Sequence, residues 1–282
     1  MQEKKSNINV RRIVAYSTLI FLVVLSLFPF LMLFINMSRT HIEISRGFSL
    51  LPGTGFMRNL SAVLDSPHMP ILRSLLNSFI VAIGTVLLAV YFSTLTAFGI
   101  HAYHFKLKRI AFVFILLIMM IPTQVSALGF VNLVDMMNLR DSFIPLIVPA
   151  MASPVTFFFM IQYMKASLPL EIIEAARIDG SNEFMTFNRI VMPLMKPALA
   201  VQAIFIFVGS WNNFFMPALL LSDESMFTLP ILVARLRGAD FLNFDLGQVY
   251  MLIGLSIIPV IIVYLLLSKF IVRGVSLGGV KG

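Results

Sequence analysis

Six apolar runs, each close to or longer than the roughly 20 residues that cross a bilayer as a helix, constrain the fold of this chain most strongly. They cover residues 13–37, 75–100, 110–130, 143–163, 198–221 and 246–268. Because 59% of the residues are hydrophobic and only 12% are charged, no sizeable soluble domain is expected. The sequence predicts an all-α, polytopic membrane protein: a polar segment, residues 1–12, and one six-span domain, residues 13–282.

The positions of Lys and Arg predict the orientation of the chain. The first apolar run is longer than the 7–15 residues or so of a signal-peptide core, so we interpret it as an uncleaved span. With the N-terminus inside, fourteen of the 21 basic residues fall on the cytoplasmic side. This bias predicts cytoplasmic termini and a cytoplasmic 165–196 segment, and it explains the net charge of +8 without nucleic acid.

Several classes of chemistry find no support in the residues. The sequence contains neither a G-x-x-x-x-G-K-[ST] phosphate loop nor an H-E-x-x-H pair, and it has no cysteine. None of its acidic residues falls in a predicted span, which argues against a proton relay or an intramembrane aspartyl protease. His101 and His104 could meet on a helix, but interfacial histidines are the favoured interpretation over a metal site.

A polar stretch, residues 165–196, separates the fourth and fifth apolar runs. Its eight charged side chains exclude a spanning helix, since one charge at the bilayer centre costs about 2.5–3.5 kcal/mol. Loops of about thirty residues usually have a function. This exposed loop is therefore the candidate functional element.

The local pattern of this loop predicts two short helices. Pro169 suits a first helical turn, Glu174 can pair with Arg177 three residues on, and Gly180 suits a left-handed helix end. A second helix would be capped by Ser181 and ended by Pro193. Its predicted apolar stripe consists of Phe184, Phe187 and Val191.

These residues resemble the EAA loop of ABC-importer permeases, in the carbohydrate-uptake branch that includes the second permease of the maltose importer. The matching residues are Leu168-Pro169, Glu171, Glu174-Ala175-Ala176, Asp179-Gly180, Phe187, Ile190, Pro193 and Pro197. The alternative is an ordinary amphipathic cytoplasmic loop. The resemblance implies the type I ABC-importer permease fold and a location in the bacterial cytoplasmic membrane.

In that family the loop is a coupling helix that docks into a cleft of a cytoplasmic ATPase. The residues that would contact the ATPase are Glu171, Glu174, Ala175, Ala176, Asp179, Gly180 and Pro193. The resemblance implies four further partners: a homologous second permease, an ABC ATPase homodimer, an extracellular solute-binding protein, and a sugar or oligosaccharide. This chain would then be no enzyme and would hold no cofactor, because ATP and Mg²⁺ bind to the ATPase.

Amides within apolar sequence mark a second candidate site. Asn212 and Asn213 follow the only Trp, and such groups need partners on other helices or in a water-filled path. A role in helix packing and a role in lining a translocation path, together with Gln124, both stay open. The family usually has an acidic residue where Asn213 stands. The predicted external loop, residues 222–245, matches the family's contact with the binding protein.

The sequence thus predicts the permease subunit of an ATP-driven sugar or oligosaccharide importer. The first alternative is a stand-alone secondary transporter or channel, which should show charges within the membrane or broken helices near its midplane. A membrane scaffold without transport is a third candidate, and it would leave the 165–196 loop unexplained.

Overall fold

The computed structural model describes the backbone of residues 3–65, 70–238 and 245–278, and side chains within residues 10–65, 70–238 and 245–270. These residues form helices and connecting loops without a strand, which confirms the predicted all-α class. The chain divides into two compact units. The first unit comprises residues 1–69 and 233–257, and the second comprises residues 70–232 and 258–282.

The helices are α1 (Glu3–Met37), α2 (His41–Ser45), α3 (Phe56–Leu64), α4 (Ile71–Ala102), α5 (Lys108–Met119), α6 (Thr123–Met136), α7 (Ile144–Ile147), α8 (Pro154–Ser167), α9 (Leu170–Ile178), α10 (Glu183–Thr186), α11 (Met192–Leu194), α12 (Lys196–Trp211), α13 (Phe215–Leu220), α14 (Leu229–Arg237) and α15 (Leu246–Gly278). Turns of 3₁₀-helix cover Val148–Ala152 and Glu224–Met226, and a π-helical turn covers Phe187–Val191.

Four helical segments of the described chain are long and apolar enough to cross a membrane: Val10–Met37, Ile71–Ala102, Ile144–Ser167 and Leu246–Phe270. The count rises to six if each of two bent pairs forms one span. Helix α5 meets α6 at 95°, and the segment Glu183–Leu194 meets α12 at 79°. The first pair reaches beyond the predicted run and includes Asp135, which forms an ion pair with Arg140 just after α6.

Two apolar runs that the sequence presents as continuous are interrupted. In the third run, Pro122 lies in an extended conformation between α5 and α6, so the two helices are separate. The 198–221 run is broken at residues 212–214, so α12 has only 16 residues. At 1.5 Å per residue this helix is about 24 Å long, which is shorter than the hydrocarbon core of roughly 30 Å.

The first unit is organised by a buried arginine after α1. The Arg39 guanidinium donates to Asn36 Oδ1 at 3.1 Å, to the Gly47 carbonyl at 3.1 Å and to the Glu43 carbonyl, so its charge is solvated by oxygen atoms. Asn59 donates to the carbonyls of Met37 and Arg39 at 2.9 Å each. These bonds fix α3 against the end of α1.

The core of the second unit lies where α4, α8 and the 165–196 loop meet. Buried Phe98, Phe157, Met160 and Phe187 are among its members. Ser93 Oγ on α4 donates to the Ser153 carbonyl at 3.2 Å, in front of α8. Helix α4 thus supports both α8 and the loop that follows it, and this arrangement positions the candidate functional element.

Candidate functional site

Helix α9 has a closed, well-defined C-terminal end. Gly180 has φ +82°, which is the left-handed conformation predicted for it. Its N–H donates to the Arg177 carbonyl at 3.1 Å, and the Ser181 N–H donates to the Ala176 carbonyl at 2.9 Å. This pair of bonds is a Schellman motif, which satisfies two carbonyls that the helix leaves free.

The two faces of α9 differ in exposure. Ile173 and Ala176, three residues apart, are buried against the chain itself. The opposite face is exposed along its whole length. It consists of the i, i+3, i+4 and i+7 positions, which are residues 171, 174, 175 and 178. Among the predicted contact residues, Ala176 is therefore too buried to touch a partner. Glu171, Glu174 and Ala175 are exposed on the helix, and Asp179 is exposed at its end.

An ion pair connects α9 to the following segment. Arg177 Nε lies 2.7 Å from Glu183 Oε1, so the predicted pairing of Arg177 with Glu174 is wrong. The guanidinium carbon of Arg177 also lies 5.2 Å from the centroid of the Tyr103 ring. Because Gly180 turns the chain back on itself, Glu183 approaches Arg177 from the next element.

The same three side chains shift each other's acidity. The hydrogen bond from Arg177 holds the pKa of the Glu183 carboxyl below its ordinary value, and the Tyr103 hydroxyl lowers it further. Partial burial raises the pKa of Tyr103, and the neighbouring Glu183 carboxylate adds to that rise. At neutral pH the cluster therefore holds an ionised Glu183 carboxylate and a neutral Tyr103 phenol.

The second helical segment of the loop differs from the prediction at its start. Its N-cap is Asn182, whose Oδ1 accepts from the Met185 N–H at 2.8 Å, whereas Ser181 Oγ accepts from Thr186 Oγ1 at 2.9 Å. Asn182 has the extended backbone of an N-cap residue, which places its side chain beside the Met185 N–H.

The apolar stripe and the end of this segment also differ. Phe187 and Val191 are buried as predicted, but Phe184 is 73% exposed. Pro193 does not end the helix. In the π-helical turn the Met192 N–H bonds the Phe187 carbonyl five residues back, and this wider register lets the chain stay helical through Pro193.

Two large apolar side chains flank the bend, and their exposure is not evident from the sequence pattern. Ile178 is 87% exposed at the end of α9, and Phe184 lies just past the bend. Ile178 departs from the buried periodicity that Ile173 and Ala176 define on α9. The sequence gives no such signal for Phe184, because its spacing assigns it to the buried stripe with Phe187 and Val191.

Bonds to α4 fix the start of the loop. His101 Nε2 lies 2.9 Å from the Leu168 carbonyl, so this ring nitrogen carries the proton and donates. Leu168 itself is buried in the core. Among the described residues no group of three or more His, Cys, Asp or Glu side chains is arranged to hold a metal ion.

The predicted path residues lie at the two interruptions of the apolar runs. Asn212 caps the end of α12, and Asn213 Oδ1 accepts from the Met216 N–H at 3.4 Å. Gln124 is exposed in the first turn of α6, where its Oε1 accepts from Thr123 Oγ1 at 3.3 Å. The two asparagines therefore lie between helices and not within one.

One cavity joins these two interruptions. It has a volume of about 470 Å³ and is lined by Thr123 and Ser126 from α6, by Asn213 from the second break and by Met216 from α13. Its remaining walls are largely apolar. Asn212 and Gln124 are not among the lining residues, so the structure groups only Asn213 of the three candidates with this cavity.

The fold and the loop together define a polytopic, all-α membrane protein with a bent pair of short helical segments between α8 and α12. Residues 89–277 match the family described as binding-protein-dependent transport system inner membrane component. The chain belongs to this family, whose members are permease subunits of ABC importers and not enzymes. It is accordingly a multi-pass protein of the bacterial plasma membrane.

Two relatives of the chain are also permease proteins of transport systems. Over 209 residues the chain is 39% identical to the arabinooligosaccharides transport system permease protein AraQ of Bacillus subtilis (strain 168), covering 73% of this chain and 72% of that protein. Over 257 residues it is 32% identical to the sn-glycerol-3-phosphate transport system permease protein UgpE of Yersinia pestis bv. Antiqua (strain Antiqua), covering 89% and 91%.

A solved structure supports the fold independently. It is described as a bacterial ABC transporter involved in the import of the acidic polysaccharide alginate. One of its chains matches with a TM-score of 0.79 at 22% identity, covering 93% of this chain and 96% of that chain. The predicted importer-permease fold is thereby confirmed, and a stand-alone secondary transporter or channel is not favoured despite the broken helices.

Proposed function

We propose that this permease imports a sugar or oligosaccharide. The relatives carry arabinooligosaccharides and sn-glycerol-3-phosphate by their names, and the solved neighbour imports a polysaccharide. All of these solutes carry several hydroxyl groups. The cavity between the two helix breaks supports a polyhydroxylated solute, because Thr123, Ser126 and Asn213 bring hydrogen-bonding groups into an otherwise apolar wall.

The proposed assembly contains three further kinds of protein. A homologous permease completes the translocation path, a homodimeric ABC ATPase binds ATP and Mg²⁺, and an extracellular binding protein delivers the solute. The sequence of this chain lacks a phosphate-binding loop, so nucleotide chemistry falls to the ATPase. The proposed topology has both termini and the 165–196 loop in the cytoplasm, where the ATPase can reach the loop.

The observation that carries the coupling proposal is the exposed face of α9. Glu171, Glu174 and Ala175 form a narrow, acidic surface that ends at Ile178 and continues to Phe184 across the bend. Small and charged side chains can enter a cleft, and the two apolar side chains at its end serve as anchors. Asp179 and Gly180 shape the bend, whereas Pro193 acts on the course of the second segment.

The buried face of α9 provides the mechanical link. Ile173 packs in the same core as Phe98 of α4 and Phe157 of α8, and the His101–Leu168 bond ties the loop to α4. A displacement of α9 by the ATPase would therefore move α4 and α8 with it as one packed body. In this mechanism closure of the ATPase dimer switches the permease between inward- and outward-facing states.

The experiment is substrate-stimulated ATP hydrolysis by the reconstituted importer carrying Glu174→Lys. We expect loss of stimulation with intact insertion, because the changed side chain is exposed and lies outside the apolar helices. The control is Lys106→Glu, a charge reversal at an exposed residue off the α9 face. If Glu174→Lys couples hydrolysis to uptake as well as the parent, α9 is not the coupling element.

A panel of oligosaccharides, offered with the cognate binding protein, tests the solute class. Stimulation by at least one member of the panel supports a carbohydrate. A complex that hydrolyses ATP in response to a solute without hydroxyl groups, and to no sugar, would contradict it.

A further inference from the structure

An apolar groove runs along the second unit between α4, α12 and the second half of α15. It consists of two connected cavities of about 450 and 230 Å³, which share Val86, Leu87, Ala203 and Leu267. The larger cavity also reaches Lys196, and the smaller one reaches Phe207. The groove lies away from the cavity at the helix breaks and shares no lining residue with it.

The length of the groove matches one leaflet of a bilayer. From Lys196 to Phe207 it follows eleven residue steps of α12, or about 16 Å at 1.5 Å per residue. Half of a hydrocarbon core is about 15 Å. The groove therefore has the depth that one acyl chain occupies when its headgroup lies at the Lys196 end.

The charged side chains of the groove lie at its Lys196 end. Lys196 is the only charged side chain among the described residues that line the groove. The Lys269 ammonium lies 5.2 Å from the centroid of Phe270, which lines the larger cavity. Neither ammonium takes part in an ion pair with a carboxylate in the described part of the chain. Two cations at the end of an apolar groove complement a lipid that has an anionic headgroup and an acyl chain.

We propose that this groove binds one anionic phospholipid, with an acyl chain between α4, α12 and α15 and the phosphate held by Lys196 and Lys269. The proposal of a lipid site rests only on the shape of the groove and on its two charges. Only the assignment to the inner leaflet rests on the proposed topology, in which the end of the groove at Lys196 faces the cytoplasm. The long stems of both lysines allow their ammonium groups to reach the headgroup level.

The test is the selectivity of the purified importer for spin-labelled phosphatidylglycerol over spin-labelled phosphatidylcholine, measured as the immobilised fraction of each lipid in reconstituted vesicles. The parent should immobilise more phosphatidylglycerol. Lys196→Gln and Lys269→Gln should each weaken phosphatidylglycerol binding at this one site roughly fivefold, which corresponds to about 1 kcal/mol for one cation near an anionic membrane surface, and should lower the measured selectivity. Lys106→Gln, off the groove, should leave it unchanged, and free inorganic phosphate should not compete.

A further substitution tests whether the groove holds the acyl chain of the lipid. Ala203→Phe, at the junction of the two cavities, should remove one immobilised lipid without separating the permease from its partner subunits, whereas the exposed Ala218→Phe should remove none. Equal immobilisation of both lipids by the parent, or unchanged selectivity in both lysine variants, would overturn the proposal. Dissociation of the two permeases by Ala203→Phe, but not by Ala218→Phe, would show that a partner helix occupies the groove.

Discussion

Arg177 and Gly180 show what residue-level reasoning can and cannot predict. The left-handed conformation of Gly180 follows from its place at the end of a helical pattern, because glycine reaches positive φ without strain. The partner of Arg177 does not follow. Spacing within one helix favours Glu174, but the turn at Gly180 brings Glu183 back from the next element. A local rule fails here because the contact is made across a bend.

Backbone strain alone should distinguish substitutions at position 180. A Cβ on Gly180 would meet nothing within 4 Å, so the first side-chain atom of a substituted residue has room there. A left-handed β-branched residue should nevertheless cost about 1–2 kcal/mol. We expect Gly180→Val to lower the free energy of unfolding and to weaken coupled ATP hydrolysis, whereas Gly180→Asn, which tolerates this conformation, should do neither. Equal behaviour of the two variants in denaturant titration would contradict the strain argument.

The Arg177–Glu183 pair should contribute modestly and in a pH-dependent way. Both side chains are more than one third exposed, so we expect a coupling energy of about 0.2–1 kcal/mol from a double-mutant cycle with Arg177→Gln and Glu183→Gln. The pKa of Glu183 is lowered in the folded protein from 4.5, so the contribution is fully present above pH 4.5. It should disappear as the pH falls below that value through the folded pKa. A coupling energy that grows on acidification would refute this assignment.

At the scale of elements, the sequence predicts where helices occur better than how they face. The bend, the start of α9 and the burial of Phe187 agree with the pattern, whereas Phe184 and Pro193 do not. A π-helical turn adds one residue to the helical repeat, and this rotates the residues that precede it relative to those that follow. A period of 3.6 applied across residues 184–191 therefore assigns Phe184 to the buried face incorrectly.

The exposed apolar pair should act as anchors for the ATPase. We expect Ile178→Ser and Phe184→Ser each to reduce the amount of ATPase subunit that co-purifies with the detergent-solubilised permease, because truncating a buried interface anchor typically costs more than 1 kcal/mol. Leu194→Ser, a change of similar character at an exposed residue of α11, is the matched control. If all three variants retain the ATPase equally, the contact surface does not include the bend.

The break after α12 offers a test of the two roles left open for the amides. If Asn213 lines the path, Asn213→Ala should change uptake or substrate preference while the complex stays assembled, because its side chain lines the cavity. Asn212→Ala is the neighbouring control, since Asn212 does not line it. If the amides serve packing, assembly should weaken first, by about 0.6 kcal/mol per lost interhelical hydrogen bond. Weakened assembly with unchanged transport would remove Asn213 from the path.

At the scale of the whole molecule, hydrophobicity predicts the class of the protein, but not the continuity of its apolar segments. The break near Pro122 has a sequence signal, because proline removes a backbone donor. The break at residues 212–214 has a weaker one, two amides that compete for backbone groups. Whether each bent pair crosses the membrane once depends on neighbouring subunits and lipid, which hydropathy does not describe.

The absence of cysteine from the sequence makes the predicted topology directly measurable. Single substitutions at exposed residues, Leu51→Cys, Ser167→Cys and Ser222→Cys, should leave packing unchanged. A membrane-impermeant maleimide added to intact cells, or to spheroplasts if an outer membrane is present, should label Leu51→Cys and Ser222→Cys. It should label Ser167→Cys, at the start of the coupling loop, only after permeabilisation.

We expect this labelling pattern because Lys and Arg are twice as frequent on the side of the 165–196 loop as on the other side. Basic segments resist translocation across the membrane. A reporter at Gly282, which lies outside the described residues, should likewise be cytoplasmic and gives an independent control. Labelling of Ser167→Cys in intact cells would place the loop out of reach of any cytoplasmic ATPase. That outcome would contradict both the orientation and the coupling mechanism, while leaving the helical fold untouched.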